Sequence, residues 1–540
     1  MELAFASTRQ LATLVSRRQV GCLELLDHFI ARIERLDTRL NAVVVRDFER
    51  ARSRARGLDN MRPLGPLHGV PMTLKEAVDV AGLPSSWGMA QFRDNVPKAD
   101  SLVAARLKQA GAVIFGKTNV PAGLSDWQSY NDVYGATGNP WNLAYSPEGS
   151  SGGAAAALAA GLTGLEVGSY IGGSIRVPAH FCGVFGHKPT WGLVPQRGHA
   201  LAELAADVDI GAIGPMARSA EDLSIALGLM AAPDPSDPHP DCELPAGPAG
   251  LAGLRVALWA DDPATQTDDE TTRALHALAD AMAKRGAIID RAARPGFAAG
   301  EAHRIYVQLL AAAHSQFQPE EEIAQMRAQV ATLSADDTST VAVTMRAAGM
   351  QHREWLHLNE QRVKMRRIWC AFFADFDVLL CPIFGRAAPP RMEEGVRWER
   401  RVQVGQAQLL TMSFCSGREL AAAFICPVPS CRSRAAGRAC RSVSRSLRAH
   451  TVTARQLRRP VSSKPCKEAS SRHPAGADAP MRRIFGACPM TPRCNDHSQH
   501  PGGICRSIQS RDCFCSAGPY SSSRARMTDN DKLIYTGEMR

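Results

Sequence analysis

The chain has 540 residues and a formal net charge of +10 at neutral pH. This length is sufficient for one large domain or for two to three ordinary ones, so a sizeable hydrophobic core can be buried. The charge is unevenly distributed, because residues 413–540 carry 22 Lys and Arg against 8 Asp and Glu, whereas the preceding residues are mildly acidic. The basicity therefore belongs to the C-terminal tail, and we expect no nucleic-acid partner for the globular part.

The cysteines and the apolar stretches bear on the cellular compartment. Five of the 15 cysteines lie before residue 413 and ten lie after it, and five scattered cysteines are typical of a reducing compartment. The first 20 residues mix charged and apolar side chains, without the apolar core of a signal peptide. The longest apolar stretch, residues 154–167, is too short for a membrane span and predicts a buried helix. We therefore expect a soluble cytoplasmic protein without a membrane segment.

The first elements of the chain are predicted to be three helices and a strand. Residues 7–36 predict two helices, with Ser7 as the cap of the first. Residues 47–58 predict a third helix, whose exposed face carries four arginines. These arginines are interpreted as a solvated surface, with nucleic-acid binding as the less favoured alternative. Residues 68–82 then predict a strand with Lys75 near its end.

A second lysine lies in a segment that matches the letters of a phosphate-binding loop. Residues 111–118 contain two glycines at the required spacing, followed by Lys117 and Thr118. A phosphate loop follows a strand and opens a helix, whereas here residues 100–111 predict a helix that leads into a short apolar strand. Pro121 follows soon afterwards. Nucleotide binding is therefore not predicted.

The later elements alternate between helical and strand-like patterns. Residues 123–147 are rich in Trp, Tyr, Asn and Gly, a composition that suits a pocket-lining loop and an ordinary surface loop about equally. Further along, the pattern predicts a helix at 220–230, a proline-rich linker at 232–248, a strand at 254–259, a helix at 270–285, mostly helical residues at 301–375 and a buried strand at 376–382.

Two serines occupy glycine-rich turns within residues 149–178. Ser150 belongs to Gly-Ser-Ser-Gly-Gly, and Ser174 belongs to Gly-Gly-Ser-Ile-Arg-Val-Pro. Such turns expose a hydroxyl group and allow backbone N–H groups to converge beside it, as acyl transfer requires. A serine nucleophile needs a base, and Lys75 can be that base if desolvation lowers its pKa. A lone lysine is more commonly a solvated surface charge, so both interpretations stay open at this point.

Together these motifs resemble the amidase signature family, the serine hydrolases of amide bonds. The resemblance runs from about residue 7 to about residue 409. It implies an α/β amidase signature fold, with a central mixed β-sheet covered by helices on both faces. The segments that carry it are Pro-Met-Thr-Leu-Lys at 71–75, Gly-Lys-Thr-Asn at 116–119, Pro-Glu-Gly-Ser-Ser-Gly-Gly-Ala at 147–154, Gly-Gly-Ser-Ile-Arg-Val-Pro-Ala at 172–179 and Gly-His-Lys-Pro-Thr at 186–190.

The resemblance also implies a role for each site residue. Ser174 is the implied nucleophile, Ser150 is the implied proton relay next to a cis peptide bond, and Lys75 is the implied neutral general base. Ser151 is assigned to structure. The implied oxyanion hole consists of backbone N–H groups around Ile171, Gly172, Gly173 and Ser174. No metal or organic cofactor is required, the implied partner is a small-molecule amide, and a homodimer stays open.

Two residues depart from the family pattern beside the serines. Glu148 stands where the family has glycine, so a carboxylate side chain lies two residues from Ser150 on a turn normally built without a Cβ atom. Tyr170 stands where the family has an acidic residue before Gly-Gly-Ser. A carboxylate at that position is expected to hold loop amides or Arg176, and its loss is expected to strand those donors.

The tail does not continue the family pattern. After about residue 409 the chain is rich in Arg, Ser, Cys and Pro and has no sustained periodicity. We predict a globular domain at 1–411 that lacks its late core strand, followed by a disordered basic tail at 412–540, and we interpret the tail as the product of a reading-frame shift. Nucleic-acid binding by the tail, or zinc binding through its cysteines without CxxC pairs, are the less favoured alternatives.

Three functions follow as expectations. The first is an amidase that hydrolyses a small carboxamide or linear amide through an acyl-enzyme at Ser174. The second is a catalytically inactive relic of an amidase, since Glu148 and Tyr170 alter both serine turns. The third is an amidotransferase A-type subunit, which would need partner chains.

Overall fold

The computed structural model describes residues 2–201, 204–236, 247–263, 266–395, 397–410 and 428–430. Apart from residues 428–430, the predicted tail at 412–540 lies outside the described residues. The division of the chain into a domain at 1–411 and a tail at 412–540 therefore stays a prediction.

The described residues form a mixed α/β structure. Its helices are α1 (Thr8–Ser16), α2 (Cys22–Leu40), α3 (Phe48–Asp59), α4 (Leu102–Gln109), α5 (Gly152–Ala159), α6 (Arg176–Cys182), α7 (Ala220–Met230), α8 (Asp269–Ala283), α9 (Ala299–Ser315), α10 (Glu320–Val330), α11 (Thr340–Ala348) and α12 (His352–Asp375). Its strands are β1 (Val43–Arg46), β2 (Pro71–Lys75), β3 (Val113–Thr118), β4 (Tyr130–Asn131), β5 (Gly135–Ala136), β6 (Glu166–Tyr170), β7 (Phe185–Lys188), β8 (Ala212–Ala217), β9 (Arg255–Leu258), β10 (Ile288–Asp290), β11 (Val378–Leu380), β12 (Arg401–Val404), β13 (Ala407–Leu410) and β14 (Val428–Ser430).

The N-terminal helices form as their sequence pattern predicts. The Ser7 side chain accepts a hydrogen bond from the Gln10 N–H at the start of α1, so this cap is confirmed. The apolar positions of α2 lie in the core on one face, as expected of an amphipathic helix. On α3, Arg52 pairs with Asp27 and Glu49 at the surface, which supports the interpretation of a solvated charged face.

Two sheets carry the serine region. In the first, β3 pairs antiparallel with β1 and parallel with β2; in the second, the order is β14-β7-β8-β6. The first sheet adjoins the second at β2, because the Thr73 N–H donates to the Leu165 carbonyl just before β6, at 3.4 Å. The predicted α/β class is therefore confirmed, although the expected single central sheet is described as two adjoining sheets.

The prediction of one buried helix at 154–167 is wrong. The structure contains α5 (Gly152–Ala159) and then β6 (Glu166–Tyr170), both buried. Gly161 adopts a positive φ of 69°, which glycine permits without steric cost and which ends the helix. The chain can then reverse and enter the sheet, so the two serine turns lie at the start of α5 and just after β6.

A second helical region packs against this core. A small sheet of order β10-β9-β11, in which both pairings are parallel, packs on α8 through one apolar cluster and on α9 and α12 through another. Helices α10 and α11 follow α9 in the chain. Helices α9 to α12 correspond to the predicted helical residues 301–375, and β11 corresponds to the predicted strand at 376–382. Their apolar cluster includes Trp369 and Tyr306, and Ile171 from the second serine turn packs on it.

A short strand from beyond residue 411 occupies the edge of the second sheet, where the prediction of a lost late strand can be compared with the structure. Backbone atoms of β14 pair antiparallel with β7, with Val428 opposite Lys188 and Ser430 opposite Gly186. Three residues beyond the family-like part therefore occupy this edge of the sheet. Within the described part of the chain, no helix combines the length and the hydrophobicity needed to cross a membrane.

Candidate active site

Lys75 is the last residue of β2 and its side chain is completely buried. Its Nζ lies 2.6 Å from the Ser150 Oγ and 3.5 Å from the Ser169 carbonyl oxygen. Burial lowers the pKa of Lys75 well below its ordinary value, and the nearby carboxyl groups of Glu166 and Glu76 only partly oppose this effect. A neutral amine at this position can accept a proton from the Ser150 hydroxyl.

Glu166 lies at the start of β6 and is also completely buried. Burial raises the pKa of Glu166 to about 8, against the hydrogen bonds that lower it. These bonds come from the Thr73 hydroxyl at 2.5 Å and from the Val167 N–H at 3.0 Å. At neutral pH the carboxyl group is therefore mostly protonated, and a protonated Glu166 does not hold a positive charge on Lys75.

The Ser150 turn is built by close backbone packing. The Gly149–Ser150 peptide bond is cis, as the resemblance implied for one of the two bonds of Ser150. A Cβ atom on Gly149 would lie 2.5 Å from the Asp126 carbonyl oxygen, and one on Gly152 would lie 2.3 Å from the Ser129 Oγ. The glycines of this motif are therefore required by space, and they bring Ser150 against Lys75.

The Ser174 turn connects β6 to α6. Gly173 has a φ of 107°, a conformation that L side chains rarely adopt. The N–H groups of Gly172, Gly173 and Ser174 donate to no backbone oxygen of the described residues. The Ser151 N–H donates to the Ser174 carbonyl at 3.1 Å, so the two serine turns are directly joined. Ser174 itself is 4% exposed.

Two aromatic side chains hold the carbonyl groups of the second turn. The Tyr306 hydroxyl donates to the Ile171 carbonyl at 3.2 Å, and the Trp127 Nε1 donates to the Gly172 carbonyl at 3.1 Å. A Cβ atom on Gly172 would lie 2.8 Å from the Tyr306 hydroxyl oxygen. Side chains from distant parts of the chain therefore hold the carbonyl groups of this turn.

The two departures from the family pattern have different structural consequences. Glu148 is buried and has a φ of 72°, so a side chain occupies the left-handed conformation that glycine favours. The Tyr170 hydroxyl accepts a hydrogen bond from Arg176, whose guanidinium carbon lies 5.1 Å from the centre of the Tyr170 ring. Tyr170 therefore provides Arg176 with a hydrogen bond and a ring contact, and the expectation for the loop amides stays a prediction.

Other sequence predictions have clear positions. Lys117 lies on β3, completely buried, and its Nζ donates to the Pro84 carbonyl and to the Ser85 hydroxyl at 2.7 Å. It belongs to a strand rather than to a loop around phosphates.

The two aromatic residues that hold the Ser174 turn differ in how far the sequence predicted them. Trp127 was contained in the predicted aromatic loop at 123–147, but Tyr306 is one of many apolar positions in a helical segment and gave no signal of its own.

The chain belongs to the Amidase family, whose model matches residues 24–414. Among its relatives is human fatty-acid amide hydrolase 2, 39% identical over 242 residues, which cover 43% of this chain and 46% of that protein. The A-type subunit of the glutamyl-tRNA(Gln) amidotransferase of Psychrobacter cryohalolentis is 36% identical over 304 residues, which cover 53% of this chain and 60% of that protein. The matches thus span about half the length of these curated relatives.

Solved structures of the same fold agree with this assignment. A 6-aminohexanoate cyclic dimer hydrolase superposes with a TM-score of 0.65 at 25% identity, covering 80% of this chain and 90% of that chain. A bacterial aryl acylamidase of the amidase signature family superposes with a TM-score of 0.66 at 23% identity, covering 79% of this chain and 89% of that chain.

Proposed function

We propose that this chain is an amide hydrolase in which Ser174 is the nucleophile, Ser150 relays the proton and Lys75 is the general base. The observation that carries the proposal is the completely buried Lys75, with its Nζ 2.6 Å from the Ser150 Oγ. A buried lysine with a lowered pKa beside a hydroxyl group is the arrangement that activates a serine without histidine.

The proposed reaction has two stages. Neutral Lys75 takes the proton of Ser150, Ser150 takes the proton of Ser174, and the Ser174 oxygen attacks the amide carbonyl carbon. The carbonyl oxygen becomes an anion that accepts hydrogen bonds from the N–H groups of Ile171, Gly172, Gly173 and Ser174. The C–N bond breaks, and the amine leaves with the proton that Lys75 held. Water then hydrolyses the acyl-enzyme and regenerates Ser174.

The proposed substrates are small carboxamides or linear amides. Membership of the Amidase family and the likeness to fatty-acid amide hydrolase 2 support an amide rather than another acyl compound. No metal or organic cofactor has a role in this proposal, since the base, the relay and the anion site all come from the chain. A cytoplasmic location is part of the same proposal.

A fluorophosphonate probe tests the proposal on the full chain, because it reacts only with an activated serine. We expect covalent labelling of the wild type and its loss in Ser174→Ala. Ser334→Ala, which alters an exposed loop serine, is the matched control and should label like the wild type. Labelling that persists in Ser174→Ala would rule out the proposed nucleophile.

An inactive relic is a second candidate, favoured by the left-handed conformation of Glu148 next to the Ser150 turn. A folded wild type that shows no labelling would support it. Restoring both family residues in one protein, Glu148→Gly with Tyr170→Asp, should then produce labelling at Ser174. No gain in the double variant would argue against this explanation of the inactivity.

An amidotransferase component is a third candidate, favoured by the likeness to the A-type subunit of glutamyl-tRNA(Gln) amidotransferase. Such a component would require partner chains. Affinity purification of the full chain from its source cells distinguishes the two active candidates. Stoichiometric partner chains would favour the amidotransferase component, whereas a chain that hydrolyses amides without partners would favour the independent amidase.

A further inference from the structure

Three aromatic side chains from distant parts of the chain form a cluster near Lys75. The ring centres of Trp87 and His199 are 5.0 Å apart, and those of Trp87 and Phe317 are 6.2 Å apart. Trp87 is 4% exposed, His199 is 7% exposed and Phe317 is half-buried. We call these three residues the aromatic cluster.

The polar atoms of this cluster are buried without hydrogen bonds. Among the described residues, neither the Trp87 Nε1 nor either ring nitrogen of His199 has a hydrogen-bond partner. A buried polar group without a partner destabilises the folded chain, so three such atoms in neighbouring side chains need an explanation. A ligand that supplies the missing partners is one physical reason to keep them.

The backbone conformation of Trp87 is a second indication of a functional position. Trp87 has a φ of 55°, a left-handed conformation that is uncommon for a bulky side chain. The surrounding chain holds it there, since the Trp87 N–H donates to the Glu76 carboxylate at 2.9 Å and its carbonyl accepts from the Gly123 N–H at 2.8 Å. The strained residue is therefore anchored to Glu76, the residue that follows Lys75 in the sequence.

His199 links the cluster to the proposed general base. Burial lowers the pKa of His199 to about 3, so its imidazole is neutral at neutral pH. The loop of His199 also contacts the segment after β2, because the Asp79 N–H donates to the Gly198 carbonyl at 2.8 Å. The neutral imidazole of His199 has one donor and one acceptor nitrogen, and both are without a partner among the described residues.

We propose that the aromatic cluster binds an uncharged aromatic group of the amide substrate that carries a hydrogen-bond acceptor for the Trp87 N–H. This inference rests on the proposed amide-hydrolase function and specifies its substrate class. The rings provide apolar faces for a planar group, and the unpartnered nitrogens provide the polar contacts that a plain hydrocarbon cannot satisfy.

Pairs of amides that differ in one ring atom test the proposal. Nicotinamide and benzamide place the aromatic group on the acyl side, and N-(pyridin-3-yl)acetamide and acetanilide place it on the amine side. Only the pyridine compounds carry a ring acceptor. We expect KM to be about tenfold lower for the pyridine member of one pair, with similar kcat, as one hydrogen bond to an otherwise unpartnered donor implies.

The variant Trp87→Phe keeps an aromatic ring and removes the N–H group. It should abolish the preference for the pyridine compound, so that the KM values of the two members of the pair become equal. The control is Trp355→Phe on α12, a matched change at a half-buried tryptophan beside His352. An equal KM for both members of each pair in the wild type, or a preference that survives in Trp87→Phe, would overturn the proposal.

A binding measurement separates this inference from the proposed reaction. If the wild type hydrolyses none of the amides, calorimetric titration of the folded full chain measures the dissociation constants of the four amides. These constants test binding at the aromatic cluster without the reaction. Tighter binding of a pyridine compound than of its phenyl counterpart, lost in Trp87→Phe, supports the cluster even when the reaction fails. Hydrolysis without any pyridine preference contradicts the cluster and leaves the reaction intact.

Discussion

The two serine turns are built in different ways. The Ser150 turn is fixed by backbone packing that only glycine permits, and its hydroxyl is engaged by the buried Lys75. The Ser174 turn is fixed by side chains, because Trp127 and Tyr306 bind its carbonyl groups. In the proposed mechanism, the first turn carries the path of a proton and the second turn binds a developing negative charge.

The largest expected effect comes from breaking the proton path at the first turn. Lys75→Met and Ser150→Ala should each lower kcat/KM by about 10²–10⁴-fold, the usual contribution of general acid–base catalysis. The double variant should lose little more than the more damaging single variant, since the two groups act as one unit. Steady-state kinetics on a small amide provide the measurement.

Lys98→Met is the control for this prediction, because Lys98 is exposed on a loop. It should behave like the wild type. Additive losses in the double variant would show that Lys75 and Ser150 act independently, and the description of the first turn as a proton path would be wrong.

The protonation state of Glu166, on the strand between the two serine turns, is tested by the pH dependence of the free energy of unfolding. Burial raises the pKa of Glu166 from about 4.5 to about 8, so the folded chain holds a proton that the unfolded chain releases. This stabilisation is complete below about pH 4.5 and is lost as the pH rises through 8. Relative to Glu166→Gln, the wild type should lose stability across this window by an amount on the order of a few kcal/mol.

Chemical denaturation at several pH values measures this difference. The exposed Glu321 on α10 provides the control variant Glu321→Gln, which should follow the wild type at every pH. Parallel curves for the wild type and Glu166→Gln would mean that Glu166 does not take up a proton on folding.

The side-chain support of the second turn is tested by Tyr306→Phe. Loss of the bond to the Ile171 carbonyl should loosen the proposed anion site and lower kcat by about tenfold, less than the loss of an oxyanion donor itself. KM should change little, because the bond matters most when negative charge develops. Tyr145→Phe is the control, at a half-buried tyrosine on the loop before the Ser150 turn. A change in KM alone would indicate that Tyr306 acts on substrate binding.

The smallest expected effect concerns the strained residue beside the first turn. Glu148→Gly should raise the free energy of unfolding by about 1 kcal/mol, since glycine adopts a φ of 72° without a Cβ clash. Arg18→Gly offers a comparison at an exposed position with a φ of 53°. Similar gains in both variants would assign the effect to the backbone, and a loss of stability in Glu148→Gly would show that the buried carboxylate stabilises the turn.

The local parts of this structure were predictable from spacing alone. The periodicity of residues 7–36 predicts two helices, and the Ser7 cap marks the start of the first. The strand predicted over residues 68–82 forms as the shorter β2 (Pro71–Lys75). The prediction failed at residues 154–167, where an unbroken apolar run contains both a helix and a strand. Apolar composition indicates burial, but it does not distinguish the two structures when both are completely surrounded by protein.

By itself the sequence determined the family and the chemical groups available, because the glycine and serine motifs act over a few neighbouring residues. Only the tertiary structure decided the environment of each group. It buried Lys75 against Ser150, gave Tyr170 contacts with Arg176, and brought Trp87 beside His199. The physical reason is that burial, pKa shifts and ring contacts depend on residues that are far apart in the chain. A local sequence pattern does not show which of these residues come into contact.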